Sequence, residues 1–365
     1  MSFWPEGDRG FQEALRVLKD NTSSLDNAEV FPTASLGVLG DAGVLGWVIP
    51  REYGGSEFSG AELVEGYLQL SRACLPTTFV LTQRNAACQR FALSENESLK
   101  AALLPQLVGA GRFATVGISH LTTSRQHLSK PTVSVSIEGT QLVLDGMVPW
   151  VTGAGQADWV LTGGTCADGA QVLVALPMDA EGITVMPAQD LLALDSSRTA
   201  SIRLESVSLD TAMLVAGPIN EVMQTGGRGG TGSLGTSALA LGAASQSLDR
   251  LAGEAVDRPE LGEILDPLTV ERDDVVRDLL AAAGEMAESQ LPELTNESLR
   301  KRSNSLVLRA AQAYLAASKG AGFTASHAAS RAVRESMFFL VWSCPQAVIE
   351  ANLREFAGMT DGPSC

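Results

Sequence analysis

The feature that most constrains this chain is a double change of hydrophobic period along its length. Up to about residue 112, apolar residues recur at helical spacing: Phe11, Leu15 and Leu18 in one stretch, Leu63, Tyr67 and Leu70 in another. From about Phe113 to Gly217 the period drops to two. Residues 132–137 read TVSVSI, Glu138-Gly139-Thr140 supplies a turn, and residues 141–146 carry on as QLVLDG. Strand-like runs follow at 159–161, 172–176 and 201–204, at the roughly 8–12-residue spacing of a compact sandwich or barrel. Helical patterning returns after the glycine-rich stretch 226–232 and lasts to about Phe356. A period of two buries one face of a strand and a period of 3.6 buries one stripe of a helix. The pattern therefore predicts an α+β protein in three parts: an N-terminal helical domain (1–112), a middle β-domain (113–217) and a C-terminal helical bundle (218–365).

Local signals set finer expectations. Ser94 or Asn96 is placed to cap a helix through Leu99 and Leu103 ahead of Pro105. Ala238, Leu241, Ala244 and Leu248 form an apolar stripe rich in small residues, which permits close helix packing. Pro259 and Pro267 read as punctuation of a connection, with further helices expected over 275–291 and 299–317. No internal repeat or long low-complexity tail interrupts this order.

Charge and composition exclude several classes. Acidic residues outnumber basic ones by 42 to 26, a formal charge of −16, which repels nucleic acid and anionic membranes. The best basic cluster, Arg300-Lys301-Arg302, reads as the solvated face of a helix rather than a binding patch. No stretch reaches the ~18 apolar residues of a membrane span. The N-terminus lacks a basic region followed by an apolar one, so no secretory signal is expected. Five scattered cysteines without CxxC spacing, and only three histidines, argue for reduced thiols in a cytoplasmic protein and against a zinc site.

Six short motifs fall in a telling order. Residues 43–46 (GVLG) precede 49–55 (IPREYGG); 146–158 read GMVPWVTGAGQAD; 191–199 read LLALDSSRT, with Val207 beyond; 319–323 read KGAGF ahead of 334–345, RESMFFLVWSCP. Together they resemble the acyl-CoA dehydrogenase family over nearly the whole chain. The resemblance implies a flavoprotein with FAD as cofactor, an acyl thioester or related small molecule as substrate, and a homo- or hetero-oligomer whose flavin sites span subunits. It implies that Ile118, Ser119, Trp150 and Thr152 lie against the flavin. Arg258 would meet FAD phosphate across a subunit contact, and Gly320 belongs to a further cofactor-binding segment. Without the resemblance, the alternative for Trp150 is a half-buried strand aromatic, and for Arg258 a solvated helix-end residue. The glycine-rich stretch 226–232 lacks a strand–GxGxxG–helix setting and reads as a flexible connector.

The departures are as informative. The family's catalytic glutamate position holds Ser343, and its alternative location falls near Gly232, again without a carboxylate. The family's T-E-P-G-A-G-S-D segment, which helps position the thioester and its CoA tail, becomes SHLTTSRQ (119–126), with His120 in place of glutamate. Ala316, Thr269 and Pro345 replace further intersubunit flavin contacts. A hydroxyl without an activating partner stays protonated at neutral pH, and loss of a positioned base forfeits roughly 10²–10⁴ in rate. Three readings stay open: desaturation with an unrecognised base, a non-catalytic partner subunit of a heteromeric dehydrogenase, or a flavin-dependent oxygenase or oxidase needing no α-proton base. Ser343 and Cys344 have no adjacent histidine and no nucleophile elbow, so both read as structural. His120 reads as a capped or solvated residue, or alternatively as one that tunes flavin or binds an anion.

Overall fold

The computed structural model describes residues 9–26, 30–122, 131–224, 233–284 and 294–359. Its N-terminal part contains α1 (Arg9–Asn21), α2 (Thr33–Asp41), α3 (Gly60–Ala73), α4 (Leu75–Ala92) and α5 (Glu97–Leu103). Phe11 and Leu18 are buried on α1, as their spacing predicts, with Ala14 beside them, while Leu15 is half-buried against the same core. A capping box starts α3: the Ser59 hydroxyl accepts from the Glu62 N–H, and the Glu62 carboxylate accepts from the Ser59 N–H. Asn96 caps α5, accepting from the Leu99 N–H at 3.1 Å. Ser94 instead donates to the Val215 carbonyl at 2.7 Å and ties this region to the sheet.

The middle part is an eight-stranded sheet: β1 (Ala114–Val116), β2 (Val133–Glu138), β3 (Gln141–Val151), β4 (Trp159–Thr165), β5 (Gln171–Pro177), β6 (Ile183–Val185), β7 (Ala200–Asp210) and β8 (Leu214–Ile219). The strand order is β6-β7-β3-β2-β4-β5-β8, with β1 pairing β4 in parallel. The β2–β3 hairpin pairs Glu138 with Gln141, so Val133, Val135, Leu142 and Leu144 share a buried core with Ile202 and Leu204 of β7. Strand β1 ends just before Gly117, ahead of Ile118 and Ser119. The Gly117 N–H still donates to the Leu161 carbonyl at 2.8 Å, but Ser119 already opens the single turn α6 (Ser119–Thr122).

The C-terminal part contains α7 (Leu234–Ala255), α8 (Gly262–Ala283), α9 (Asn296–Ala317), α10 (Lys319–Gly322), α11 (Ala328–Phe338) and α12 (Gln346–Phe356). The small-residue stripe of α7 does what its composition allows. A Cβ on Gly242 would lie 2.6 Å from the Leu68 carbonyl, and Ser71 donates to the Leu239 carbonyl at 2.7 Å. Helices from both ends of the chain thus share one core, with Phe11, Leu70, Leu241, Val307 and Phe339 in a single cluster. Pro267 does not end a helix; it lies inside α8, which begins at Gly262. Residues 285–291 of the helix expected over 275–291, and the glycine-rich 226–232, lie outside the described residues. The basic cluster is also not a plain solvated face. Lys301 pairs with Glu297 and Arg302 with Asp278 at the surface, while Arg300 is fully buried.

Candidate active site

A cleft of about 2460 Å³ opens between the sheet and the helices, and elements from all three parts of the chain line it. On the sheet side the wall is built at the end of β3. The β3–β7 register breaks between Val148 and Val151, and Trp150 sits in this irregularity with φ +57°. Such a bulge re-aims a side chain out of the ladder. The indole is 55% exposed and lines the cleft. Two residues on, Thr152 is buried and its hydroxyl lies 3.3 Å from that of Thr199, which is 2.9 Å from Ser197 Oγ. Ile118 and Ser119 extend the same wall, with Ser119 donating to the Pro149 carbonyl at 3.4 Å.

The end of α11 and the loop after it supply another part of the lining, the cleft floor, where Phe338, Trp342, Ser343 and Cys344 sit. Phe338 stacks on Trp342 with centroids 4.9 Å apart, and Phe79 of α4 meets the Trp342 ring edge-on at 5.1 Å. That aromatic cluster pins the loop against α4. Ser343 adopts φ +45°, a left-handed conformation that non-glycine residues seldom take. Beneath the loop, Arg300 Nη2 donates to the carbonyls of Phe339 (3.2 Å) and Trp342 (3.1 Å), and Asn304 Nδ2 donates to Phe339 (3.0 Å).

The sequence-predicted site residues separate into groups. Ile118, Ser119, Trp150, Thr152 and Ser343 come together around the cleft. Arg258 is engaged within its own chain, donating to the Glu254 carboxylate and, at 2.7 Å, to the Ala317 carbonyl. Gly320 lies in the one-turn α10, where a Cβ would meet nothing within 4 Å. Gly232 lies outside the described residues. His120 is neither solvated nor a cap: it is buried, with Nε2 3.0 Å from the Gly163 carbonyl.

Among the described residues lining the cleft, the carboxylates are Glu221 and Glu297. The first accepts from Gln224 at 2.8 Å and the second pairs with Lys301 at 2.7 Å. Glu335, just before the loop, is buried away from the cleft between Arg331 and Asp26. Burial pushes its carboxyl up to about 7, Arg331 opposing and Asp26 adding to the shift. Sequence reading missed Arg300 and Asn304. Their signal was helical period, since Arg300, Ser303, Asn304 and Val307 fall on one buried face of α9. No group of acidic, histidine and cysteine residues suited to a metal occurs among the described residues.

Comparison with known proteins gives this architecture its context. The family model for the acyl-CoA dehydrogenase N-terminal domain matches residues 12–110. A curated relative, "Probable acyl-CoA dehydrogenase YngJ" of Bacillus subtilis, is 25% identical over 257 residues, 68% of this chain and 67% of the relative. The butyryl-CoA dehydrogenase structure from Megasphaera elsdenii superposes with a TM-score of 0.79 at 15% identity, covering 99% of this chain and 100% of that one. A glutaryl-CoA dehydrogenase from Mycobacterium smegmatis, solved with FADH2, gives 0.78 at 17% identity, covering 99% and 97%. Residues 12–110 thus carry an acyl-CoA dehydrogenase N-terminal domain, and the whole chain has the fold of the acyl-CoA dehydrogenases.

Proposed function

We propose that this chain is an FAD-dependent oxidoreductase that oxidises an acyl thioester in the cleft between the sheet and the α11–α12 loop. The observation that carries the reading is a single cleft lined both by an exposed indole on a backbone bulge and by a loop pinned by stacked aromatics. A large aromatic left half in water is unfavourable unless a flat group covers it. The residues present fit the ring end of FAD: Trp150 offers an apolar plate, with Ser119 and Thr152 as hydroxyl neighbours. When bound there, FAD supplies the acceptor for a hydride from the substrate. The chain's own part is to bind the thioester against that plate, exclude water with Phe338 and Trp342, and take a proton at the cleft floor.

The oligomer implied by the family is also part of this proposal. Arg258 would need to leave Glu254 to meet a phosphate on a neighbouring subunit, so the phosphate arm of the cofactor depends on a rearranged contact. The second reading, a partner subunit that binds without turning over, is favoured by Ser343 at the family's base position. The deciding experiment is the visible absorption spectrum of the purified protein, with denaturation to identify released flavin. Anaerobic titration with saturated acyl thioesters follows. Bound FAD that bleaches on addition of a thioester supports the enzyme. Protein that neither carries nor takes up FAD overturns it in favour of the partner subunit.

A further inference from the structure

Arg300 is a cation sealed inside the protein without an anion. Its side chain is fully buried, and it forms no ion pair with a carboxylate among the described residues. Nη2 is engaged with two loop carbonyls, but Nε and Nη1 have no hydrogen-bond partner, and neither does Oδ1 of Asn304 one turn along α9. The guanidinium carbon lies 5.6 Å from the Phe339 ring centroid, a weak substitute for a counter-charge. A guanidinium removed from water is strongly unfavourable unless paired. The acidic group facing it is the Cys344 thiol, two residues past the Trp342 carbonyl that Arg300 holds. Arg300 is the charged group that faces this thiol, and the Asn304 side chain lies against it. Cys344 also lines the cleft, next to Ser343.

We propose that Cys344, one residue beyond the position of the family's carboxylate, is the proton-accepting group of the cleft floor, and that Arg300 positions and stabilises its thiolate. This rests on the thioester reading above. The Cys344 thiolate takes the α-proton of a bound acyl thioester: the Cα–H bond breaks, an S–H bond forms, and the electron pair stays on the substrate as the thioester enolate. A thiolate is far more accessible near neutral pH than a serine alkoxide, and a base works best with a pKa near the working pH. Burial outweighs the opposing pull of Arg300 and Asn304 and holds the thiol above its ordinary value, so the reactive form grows as pH rises into the alkaline range. Most buried cysteines are structural. This one differs in lining the cleft within the electrostatic reach of a guanidinium whose Nε and Nη1 have no hydrogen-bond partner.

The test reads the thiol first, without any turnover. The full-length protein is treated with iodoacetamide from pH 6 to 10, and alkylated Cys344 is quantified by peptide mass spectrometry. Cys166, half-buried in the β4–β5 turn, serves as the internal reference. Arg300→Gln removes the charge and Arg300→Lys keeps it, with near-UV circular dichroism verifying the fold of each. The expected result is that Arg300→Gln slows Cys344 alkylation at pH 7.5 about tenfold for each unit by which the thiol pKa rises. Arg300→Lys should keep most of the rate, and Cys166 should not change. Equal rates in wild type and Arg300→Gln, or a Cys344 that resists alkylation altogether, would overturn the pairing. The second arm follows exchange of the α-protons of butyryl-CoA and glutaryl-CoA into D₂O by NMR. Exchange by wild type that is lost in Cys344→Ala supports the base. Exchange that survives the substitution, or fails in both proteins, overturns it. Because this exchange needs no hydride acceptor, failure of the flavin reading shows separately, as a missing flavin spectrum.

Discussion

Ser343 has the backbone of a functional residue and the side chain of a bystander. Its φ of +45° already carries a Cβ, so a longer side chain adds no further backbone strain there. In a Cys344→Ala background, Ser343→Glu should therefore place a carboxylate at the cleft floor and raise the rate of flavin bleaching by an acyl thioester by about 10²-fold, the lower range for a positioned base. Anaerobic stopped-flow absorbance would measure it; an unchanged rate would mean that no thioester reaches this floor. Glu335 makes a different prediction. Burial raises its carboxyl from 4.5 to about 7, so the folded chain binds its proton more tightly than the unfolded chain does. The associated stabilisation is full below pH 4.5 and is lost as pH rises through 7, a change of roughly 3 kcal/mol. Thermal melts of wild type against Glu335→Gln from pH 4.5 to 8 should show the wild type losing ground to the variant by about that amount.

Among elements, α7 shows how one helix can hold two opposite glycine effects. Gly242 meets α3 backbone at 2.6 Å, whereas a Cβ on Gly253 would meet nothing within 4 Å. Gly253→Ala should stabilise by about 0.5–1 kcal/mol through helix propensity. Gly242→Ala should destabilise by about 1–3 kcal/mol through overpacking, and urea melts of the two variants should move in opposite directions. The contrast also marks where sequence reading succeeds and where it stops. Alternation in 132–146 placed the β2–β3 hairpin because one face of that hairpin is buried, and period exposes such asymmetry. Pro267 misled because only the donor to the Glu263 carbonyl is lost, near the start of α8, where few intrahelical bonds depend on it. The Trp150 wall was legible through its motif, but the bulge that turns the ring into the cleft is a matter of β3–β7 register. Arg300 was hidden by its neighbours: Lys301 and Arg302 do face water, and charge alone does not say which of three consecutive arginines and lysines points inward.

At the scale of the whole molecule, the cleft draws residues from the N-terminal helices, the sheet and the C-terminal helices, so no single part holds the site. No helix among the described residues is long and apolar enough to cross a membrane, yet the C-terminal region leaves large apolar side chains in water. Phe323 is 84% exposed and Leu353 61% exposed. On α12 the two faces diverge: Val348 and Asn352 are buried, while Leu353 and Phe356 point outward at i, i+3 spacing. An apolar stripe with a partner on only one face is the pattern of a helix at a subunit contact. Phe356 also lines the cleft, so a copy seated on α12 would reach the rim of the site. The proposed assembly therefore predicts that the protein elutes as a multiple of the chain mass, measured by size-exclusion chromatography with light scattering. Leu353→Asp should shift it toward the single chain, because a buried carboxylate at a contact is strongly unfavourable, while leaving the melting of the isolated chain nearly unchanged. If retained flavin falls together with the mass, subunit association and cofactor binding are coupled through this end of the cleft. If the mass does not move, the α12 stripe is not the contact.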